Sequence, residues 1–256
     1  MITITIAVAN QKGGVGKTTT AVTLAHGLAV KGKEVLLVDA DPQGHCAVFL
    51  GRPQEPGLFD LLVAEAPLRD VVRTTGRSRL WLLPGNKRSS TAAAVLEAER
   101  TGIDTLQAAL VGRFNDSAPD YVILDTPPSI GAGGLQEMAL FAADFVLVPV
   151  AVDFAAVVGA LQLAETMKRL GSHGWQGGIL GALPTFYDER TRESQENLEE
   201  LRRRFGELVL PPIHRATVLR ECSAAGQTIF EFAPKSRAAE EYARLVWEVL
   251  DGTKKG

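Results

Sequence analysis

Apolar runs of strand length recur along this chain, and stretches with helical periodicity separate them. Most runs lack the alternation of polar and apolar residues that a strand with one solvent face shows, so both faces are predicted to be buried. Strands and helices that alternate in this rhythm form crossover units, which make the strands parallel and cover both sides of the sheet with helices. The predicted strands are Ile2–Ala9, Glu34–Asp39, Leu80–Pro84, Tyr121–Asp125, Phe145–Val150, Ile179–Pro184 and Leu208–Ile213.

The segments between the strands indicate one domain. Arg88–Leu110 is rich in Ala, Glu and Leu and is predicted to be helical. A final helix over about Ser236–Leu250 carries its apolar residues on one face, which is typical of a terminal helix that packs on the core. Arg52–Ser78 is the least regular segment, and no linker or internal repeat divides the chain. We expect a single α/β domain over residues 1–256, with one doubly wound, mostly parallel sheet flanked by helices.

Composition and charge limit the possible partners. A length of 256 residues, 46% of them apolar and 22% charged, suits one large globular α/β domain or two small ones. Lys and Arg number 27 against 30 for Asp and Glu, which gives a net charge of −3. The molecule is therefore no polycation, and any hold on nucleic acid or an anionic membrane requires a local basic patch. The net charge argues mildly against a nucleic-acid partner.

Cysteine usage and hydropathy bear on the compartment. The two cysteines, Cys46 and Cys222, and four scattered histidines give no disulfide framework and no four-ligand zinc pattern. The N-terminus alternates Ile and Thr as a strand does and lacks the features of a signal peptide. The longest apolar stretch, Met138–Val152, is interrupted by Asp144 and Pro149 and falls short of the roughly 20 apolar residues that span a bilayer. We expect a protein of the reducing cytoplasm without membrane insertion.

A glycine-rich loop follows the first predicted strand. Residues 10–19 read NQKGGVGKTT, and a helix-compatible run comes next. The glycines let successive backbone N–H groups face inward, and the helix that starts near Lys17 adds the positive end of its dipole, so the loop is predicted to bind a triphosphate. We expect Lys17 to reach the β- and γ-phosphates and the Thr18 hydroxyl to ligate Mg²⁺. The predicted phosphate-binding residues are Gly13, Gly14, Val15, Gly16, Lys17, Thr18 and Thr19.

The loop carries a second lysine. The strict phosphate-loop pattern has a glycine where this chain has Gln11, and Lys12 beside it adds a cation at the start of the loop. We expect Lys12 to point at phosphate charge across an interface between subunits. It therefore joins Lys17 among the catalytic candidates.

Two predicted strands end in acidic residues. Asp39 and Asp41 come at the carboxyl end of the second strand, where open α/β sheets bind ligands. Asp125 ends the fourth strand. An aspartate at the end of an apolar strand is typical of sites in which the carboxylate binds Mg²⁺ directly or through a coordinated water. Taken alone, each motif is equally typical of an aspartate that ends a strand and caps the following turn. Together with the loop, they predict that Asp41 orients the attacking water and that Asp39 and Asp125 hold magnesium with Thr18.

These residues resemble the ParA/Soj family of partitioning ATPases, within the MinD/ParA class of proteins with a deviant phosphate loop. The resemblance implies that the protein binds ATP and Mg²⁺, closes into a nucleotide-sandwich homodimer in which Lys12 of each subunit contacts the other's phosphates, and hydrolyses ATP slowly. It also implies a stimulating partner of the ParB kind, non-specific binding of the dimer to double-stranded DNA on the nucleoid, and segregation or positioning of a chromosome or plasmid. The matching segments are Lys12–Thr19, Asp39–Gly44, Asp125–Pro128, Thr185–Thr191 and Pro234–Arg237.

The resemblance also gives candidates for adenine and DNA contacts. Its adenine side maps onto Thr185, Phe186, Pro212 and Ile213. The DNA-binding candidates lie in the basic but mixed C-terminal third of the chain and are Arg190, Arg215, Arg220 and Arg237. The neighbouring run Arg202–Arg204 is instead typical of a solvated helix face that pairs with Glu199 and Glu200.

One departure from the family bears on DNA binding. Where Soj proteins typically read IPRNVRLSEAPS, residues 213–224 here read IHRATVLRECSA, so the second family arginine is replaced by Val218. Either Arg215 or Arg220 takes its place, or DNA binding is weaker, or the surface serves another partner.

Several alternatives stay open or are disfavoured. A ParA-like ATPase that positions a protein cargo, such as a microcompartment or chemoreceptor cluster, is the main alternative. A MinD-like spatial regulator would add a basic amphipathic tail, whereas residues 251–256 follow an acid-bearing helix. The sequence lacks the paired cysteines of iron–sulfur reductases and the Asn/Thr-Lys-x-Asp motif of GTPases, and a small-molecule kinase or ligase would leave Lys12 without a role. Since the loop begins at residue 11, no N-terminal helix-turn-helix domain is expected.

Overall fold

The strands assemble into one sheet. The computed structural model describes residues 2–99, 101–110, 118–128 and 134–254. Within them the strands are β1 (Ile4–Val8), β2 (Val35–Asp39), β3 (Arg73–Thr74), β4 (Leu80–Leu83), β5 (Tyr121–Asp125), β6 (Phe145–Ala151) and β7 (Gly178–Thr185). Their order across the sheet is β3-β4-β2-β5-β1-β6-β7, and every neighbouring pair is parallel except β3 with β4. The predicted mostly parallel α/β fold is confirmed.

Helices connect the strands and cover both faces of the sheet. The longer ones are α1 (Lys17–Val30), α5 (Arg88–Ala98), α8 (Phe154–Ser172), α9 (Arg192–Phe205) and α12 (Arg237–Gly252). The shorter ones are α2 (His45–Phe49), α3 (Leu58–Leu62), α4 (Leu68–Val71), α6 (Thr105–Leu110), α7 (Leu135–Phe141), α10 (Val218–Ala224) and α11 (Ile229–Phe232). No helix in these described stretches is both long and apolar enough to cross a bilayer.

The core lies in two layers, one on each side of the sheet. Alternate residues of a strand point to opposite faces, so Val35 and Leu37 of β2 join one cluster while Leu36 and Val38 join the other. Helices α1 and α12 pack on the first cluster, and α7 and α8 pack on the second. Burial of both faces explains why these strands are continuously apolar.

The predicted seventh strand, Leu208–Ile213, is wrong. Gly206–Leu208 forms a 3₁₀ helix, and Val209 makes only an isolated bridge with Ala182 of β7. Pro211 and Pro212 follow, and a proline has no N–H to donate to a ladder. The segment runs beside β7 without becoming a strand, and the sheet gains β3 at its opposite edge instead.

The helix predicted over Arg88–Leu110 is two helices, α5 and α6. Residues 101–104 lie outside both helices and include Gly102, which favours an end to helical structure. The irregular segment Arg52–Ser78 contains α3, α4 and β3. The final helix is confirmed within two residues, and its Ser236 hydroxyl caps the start by accepting a hydrogen bond from the Ala239 N–H at 3.2 Å.

Replacing Gly27 with alanine is expected to destabilise the fold. A Cβ atom at Gly27 on α1 would lie 2.4 Å from Cγ2 of Val246 on α12 and 3.0 Å from Cε2 of Phe230. Gly27→Ala should lower the free energy of unfolding by about 1–3 kcal/mol, the usual cost of overpacking. The matched control is Gly171→Ala on α8, where a Cβ meets no atom within 4 Å. It should be neutral or stabilising by up to about 1 kcal/mol, since alanine favours helix. Urea denaturation of both variants measures the difference, and equal midpoints would contradict this packing.

Candidate nucleotide and metal site

The glycine loop spans the gap between β1 and α1 at the carboxyl edge of the sheet. Gly14 and Gly16 have φ of 74° and 88°, in the left-handed region that favours glycine. Gly16 is the N-cap of α1, and its carbonyl accepts the Thr20 N–H at 2.9 Å. The loop therefore leads directly into the N-terminus of α1, where the helix dipole favours binding of an anion.

The loop is held from both sides. Asn10 Oδ1 accepts the Lys12 N–H at 3.0 Å, and Asn10 Nδ2 donates to the Pro149 carbonyl of β6 at 2.8 Å. On the other side, the Thr185 hydroxyl at the end of β7 donates to the Val15 carbonyl at 2.9 Å. These bonds fix the loop before any ligand arrives, which lowers the entropic cost of binding.

The two loop lysines are held differently. Lys17 is buried, and its ammonium donates to the Lys12 carbonyl at 3.1 Å. Burial lowers the pKa of Lys17, while the charges of Asp125 and Asp41 act in the opposite direction. Lys12 is more exposed, and its Nζ lies 2.6 Å from Oδ1 of Asp153, the residue that links β6 to α8. Lys17 is thus fixed inside the site, whereas Lys12 is held at its rim by an acid of its own chain.

Asp39 and Asp125 lie side by side because β2 and β5 are neighbours in register. Asp125 Oδ2 accepts the Thr18 hydroxyl at 2.7 Å. Asp39 instead accepts two backbone N–H groups, those of Asp41 at 3.0 Å and Cys46 at 2.9 Å. Of the three predicted metal ligands, Thr18 and Asp125 therefore touch each other, and Asp39 shapes the turn that follows β2.

Burial dominates the electrostatics of this pair. Both carboxyl groups are fully buried. Burial, with the nearby charge of Asp125, raises the pKa of Asp39 well above its ordinary range, and burial raises the pKa of Asp125 to about 6. Asp125 Oδ1 is buried and has no hydrogen-bond partner among the described residues. An unpartnered carboxylate oxygen beside a threonine hydroxyl fits a hard divalent cation such as Mg²⁺.

Asp41 lies next to this pair. It is 8% exposed, and its Oδ1 accepts the Gln43 N–H at 2.9 Å. Gly44, with φ of 65°, then starts α2. The hydrogen bond from Gln43 fixes the orientation of the carboxylate at the carboxyl edge of the sheet. That is a suitable position for a group that orients water.

A cavity of about 290 Å³ opens beside the start of α1. The predicted adenine residues Thr185, Phe186 and Ile213 line it, whereas Pro212 is not among its lining residues. Its volume is close to the lower end of the roughly 300–1,000 Å³ of small-molecule sites. The other lining residues are Gly16, Thr19, His214, Arg215, Ala216, Thr217, Leu219, Arg220 and Tyr242.

Comparison with known proteins agrees with this geometry. A protein-family model described as an AAA domain matches residues 3–175. The chromosome-partitioning ATPase Soj of Thermus thermophilus is 41% identical over 248 residues, which cover 96% of this chain and 94% of that protein. The chain belongs to the ParA/Soj family of partitioning ATPases.

Solved structures that resemble this ParA/Soj-family chain include complexes with nucleotides. A Cyanothece McdA variant in complex with ATP superposes with a TM-score of 0.87 and is 26% identical, covering 97% of this chain and 96% of that one. A cobyrinic acid a,c-diamide synthase from Mycobacterium smegmatis with bound ADP and magnesium has a TM-score of 0.83 and 32% identity, covering 100% of this chain and 97% of that one.

The four arginines proposed for DNA in this ParA/Soj-family chain divide into two classes. Arg190 makes a two-point contact with Asp188 at 2.9 and 2.8 Å. Arg237 contacts Glu241 at 2.9 Å and Glu189 at 3.3 Å. In the part of the chain that the structure describes, the exposed side chains of Arg215 and Arg220 form no ion pair, and both residues line the 290 Å³ cavity. As predicted for a solvated helix face, Arg203 and Arg204 pair with Glu200.

Sequence reasoning missed three residues of the site. Asp153 was not singled out, although an acid directly after an apolar strand was the signal used for Asp39 and Asp125. Tyr242 lies in the final helix, whose apolar face predicts packing on the core, yet it lines the cavity and its hydroxyl lies 3.4 Å from Thr20 Oγ1. Cys46 was not connected with the acidic pair because it follows Asp39 by seven positions on a different element, α2.

Proposed function

We propose that this ParA/Soj-family chain is a slow, Mg²⁺-dependent ATPase that dimerises with ATP, binds double-stranded DNA without sequence preference and positions a chromosome or plasmid on the nucleoid. Hydrolysis would be stimulated by a ParB-like partner. The observation that carries the proposal is the pair of loop lysines. Lys17 is buried within its own loop, while Lys12 stands at the rim, 2.6 Å from Asp153, where a second subunit can approach.

Nucleotide binding follows from the loop. The backbone N–H groups of Gly13–Thr19 and the Lys17 ammonium hold the phosphates, and the 290 Å³ cavity takes the base. Thr18 and Asp125 would hold Mg²⁺, which when bound neutralises phosphate charge. The fit rests on the buried, unpartnered Oδ1 of Asp125.

Hydrolysis requires a water aligned with the γ-phosphate. Asp41 is the candidate because the Gln43 N–H fixes one of its oxygens at 2.9 Å and leaves the carboxylate at the ligand-binding edge of the sheet. Asp39 and Asp125 lie near this position, and burial disfavours their ionised forms, so a cation together with the Lys17 ammonium would stabilise the carboxylates. The site is therefore assembled fully only when nucleotide and metal are present.

Dimerisation uses Lys12. Its ion pair with Asp153 is partly exposed, with side chains 34% and 41% exposed, and such pairs contribute only about 0–1 kcal/mol. A triphosphate on a second subunit carries more charge than one carboxylate and can draw Lys12 away. The γ-phosphate thereby determines whether Lys12 pairs with Asp153 or with the nucleotide of the second subunit. Formation of the dimer then depends on bound ATP.

DNA binding is proposed to rest on Arg215 and Arg220 more than on Arg190 and Arg237. The latter two are already neutralised by acids of their own chain. A dimer presents each arginine twice, and because affinity rises with the number of phosphates neutralised, DNA binding becomes ATP-dependent.

The test is retardation of duplex DNA by the protein with ATP and Mg²⁺. Binding should be blind to sequence and fall steeply with salt, by about 0.9 in the log–log slope for each contacted phosphate. Because both residues also line the 290 Å³ cavity, ATP binding is first confirmed for each variant; Arg215→Ala and Arg220→Ala should then each weaken DNA binding and lower that slope. The matched control is Arg192→Ala on α9, whose side chain pairs with Glu196 at 2.7 Å and should have little effect.

Two outcomes would redirect the proposal. Equal losses for Arg192→Ala and Arg220→Ala would contradict the assignment of the docking surface. An ATP-dependent dimer that retards no duplex at low salt would favour the second candidate, a ParA-like ATPase with a protein cargo. The observations behind that candidate are Val218 in place of the family arginine and the ion pairs that occupy Arg190 and Arg237.

A further inference from the structure

Cys46 lies inside the acidic cluster below the phosphate loop. It is fully buried, and its Sγ lies 3.4 Å from Oδ2 of Asp125. Its backbone N–H donates to Asp39 Oδ2 at 2.9 Å. One ligand atom from each of Asp39, Cys46 and Asp125 lies within 4.8 Å of the others. Two carboxylate oxygens and one sulfur are thus neighbours in the buried interior.

This donor set differs from that of the magnesium site. Mg²⁺ takes oxygen ligands and does not favour sulfur, whereas Zn²⁺ and Cd²⁺ bind thiolates strongly. Zinc takes Cys sulfur at about 2.3 Å and carboxylate oxygen at about 2.0–2.2 Å. The donor atoms of Asp39, Cys46 and Asp125 are near enough for side-chain rotations to bring them to these distances.

A second observation points to a cation at Asp125. Asp125 Oδ1 belongs to a completely buried side chain and has no hydrogen-bond partner among the described residues. A buried acceptor in that condition is costly unless a donor or a cation satisfies it. Asp39 and Asp125 are also buried neighbours in register on β2 and β5, so without a cation their ionised carboxylates repel each other. A divalent ion would relieve both costs.

We propose that Asp39, Cys46 and Asp125 form a binding site for a thiophilic divalent cation of the Zn²⁺ class in the nucleotide-free protein. The metal–sulfur bond forms as the thiol proton leaves to solvent, and water or the Thr18 hydroxyl completes the coordination. Because Asp125 also touches Thr18, occupancy by such an ion opposes binding of Mg²⁺ and nucleotide. That competition rests on the proposed function, whereas the metal site itself does not.

The test is titration of the reduced, nucleotide-free protein with Cd²⁺. We expect the ultraviolet cadmium–thiolate absorption band, saturating at one ion per chain and displaced by Zn²⁺. Cys46→Ser should abolish the band while keeping a hydroxyl donor for Asp125. Cys222→Ser is the matched control, since Cys222 is also buried but its thiol donates to the Leu219 carbonyl at 3.3 Å, and this variant should keep the band.

A second measurement needs no variant. Both thiols are buried and react only when the protein opens locally, so Zn²⁺ should lower the alkylation rate of Cys46, and not that of Cys222, in the parent protein, read by mass spectrometry. Absence of a band in the parent, or a band that survives Cys46→Ser, would overturn the proposal. Release of Cd²⁺ by ATP with Mg²⁺ would support the overlap with the nucleotide site. Cd²⁺ binding through Cys46 that ATP leaves unchanged would keep the metal site and refute only the overlap.

Discussion

Lys12→Ala is expected to abolish the ATP-dependent dimer while leaving the monomer folded. A hydrogen bond to a charged group contributes about 1.5–3 kcal/mol, and a symmetric dimer loses two such contacts, so the dimerisation constant should fall by about 10²–10⁴-fold. Light scattering of parent and variant with ATP and Mg²⁺ measures the dimer fraction. Equal fractions would refute the role of Lys12 across the interface.

The matched control for Lys12→Ala is Asp153→Ala. This change removes the carboxylate that lies 2.6 Å from the Lys12 ammonium but keeps the lysine itself. The variant should still dimerise with ATP, because Lys12 then has one competitor fewer. If both variants lost the dimer, the ion pair would be needed for the shape of the loop, and the switch between two partners would be wrong.

Asp41→Ala is expected to trap the ATP-bound dimer. A side chain that positions a reactant or moves its proton commonly contributes 10²–10⁴-fold, so phosphate release should slow by about 10²-fold or more. ATP binding should persist because the loop and Lys17 are unchanged. The measurements are ATP turnover and the lifetime of the dimer in light scattering.

Asp41→Asn separates this chemistry from local folding. The amide oxygen can still accept the Gln43 N–H, so the turn before α2 is kept, yet the carboxylate charge is gone. We expect the same slow turnover and long-lived dimer as for Asp41→Ala. An unchanged turnover rate in either variant would remove Asp41 from the catalytic residues.

Much of the site could be predicted from the sequence because its parts are local. A glycine loop between a strand and a helix has one productive geometry, and Gly14 and Gly16 adopt the positive φ that their lack of a side chain permits. Asp39 and Asp125 follow from apolar strands, and parallel strands end at the same edge of a sheet. The apolar pattern of Leu208–Ile213 predicts a strand that does not form, because Pro211 and Pro212 have no N–H to donate to a neighbouring strand.

The sequence by itself determined the phosphate loop, the acidic strand ends and the α/β class, since each depends on neighbouring residues and on the period of the apolar pattern. Only the tertiary structure decided that Lys12 pairs with Asp153, 141 positions away, and that the Cys46 thiol reaches Asp125, 79 positions away. It also decided that Arg190 and Arg237 pair with acids, while Arg215 and Arg220 form no ion pair with any described residue. Such contacts join residues that are distant in the chain. Their ion pairs and pKa values depend on partners and burial that only the folded structure provides.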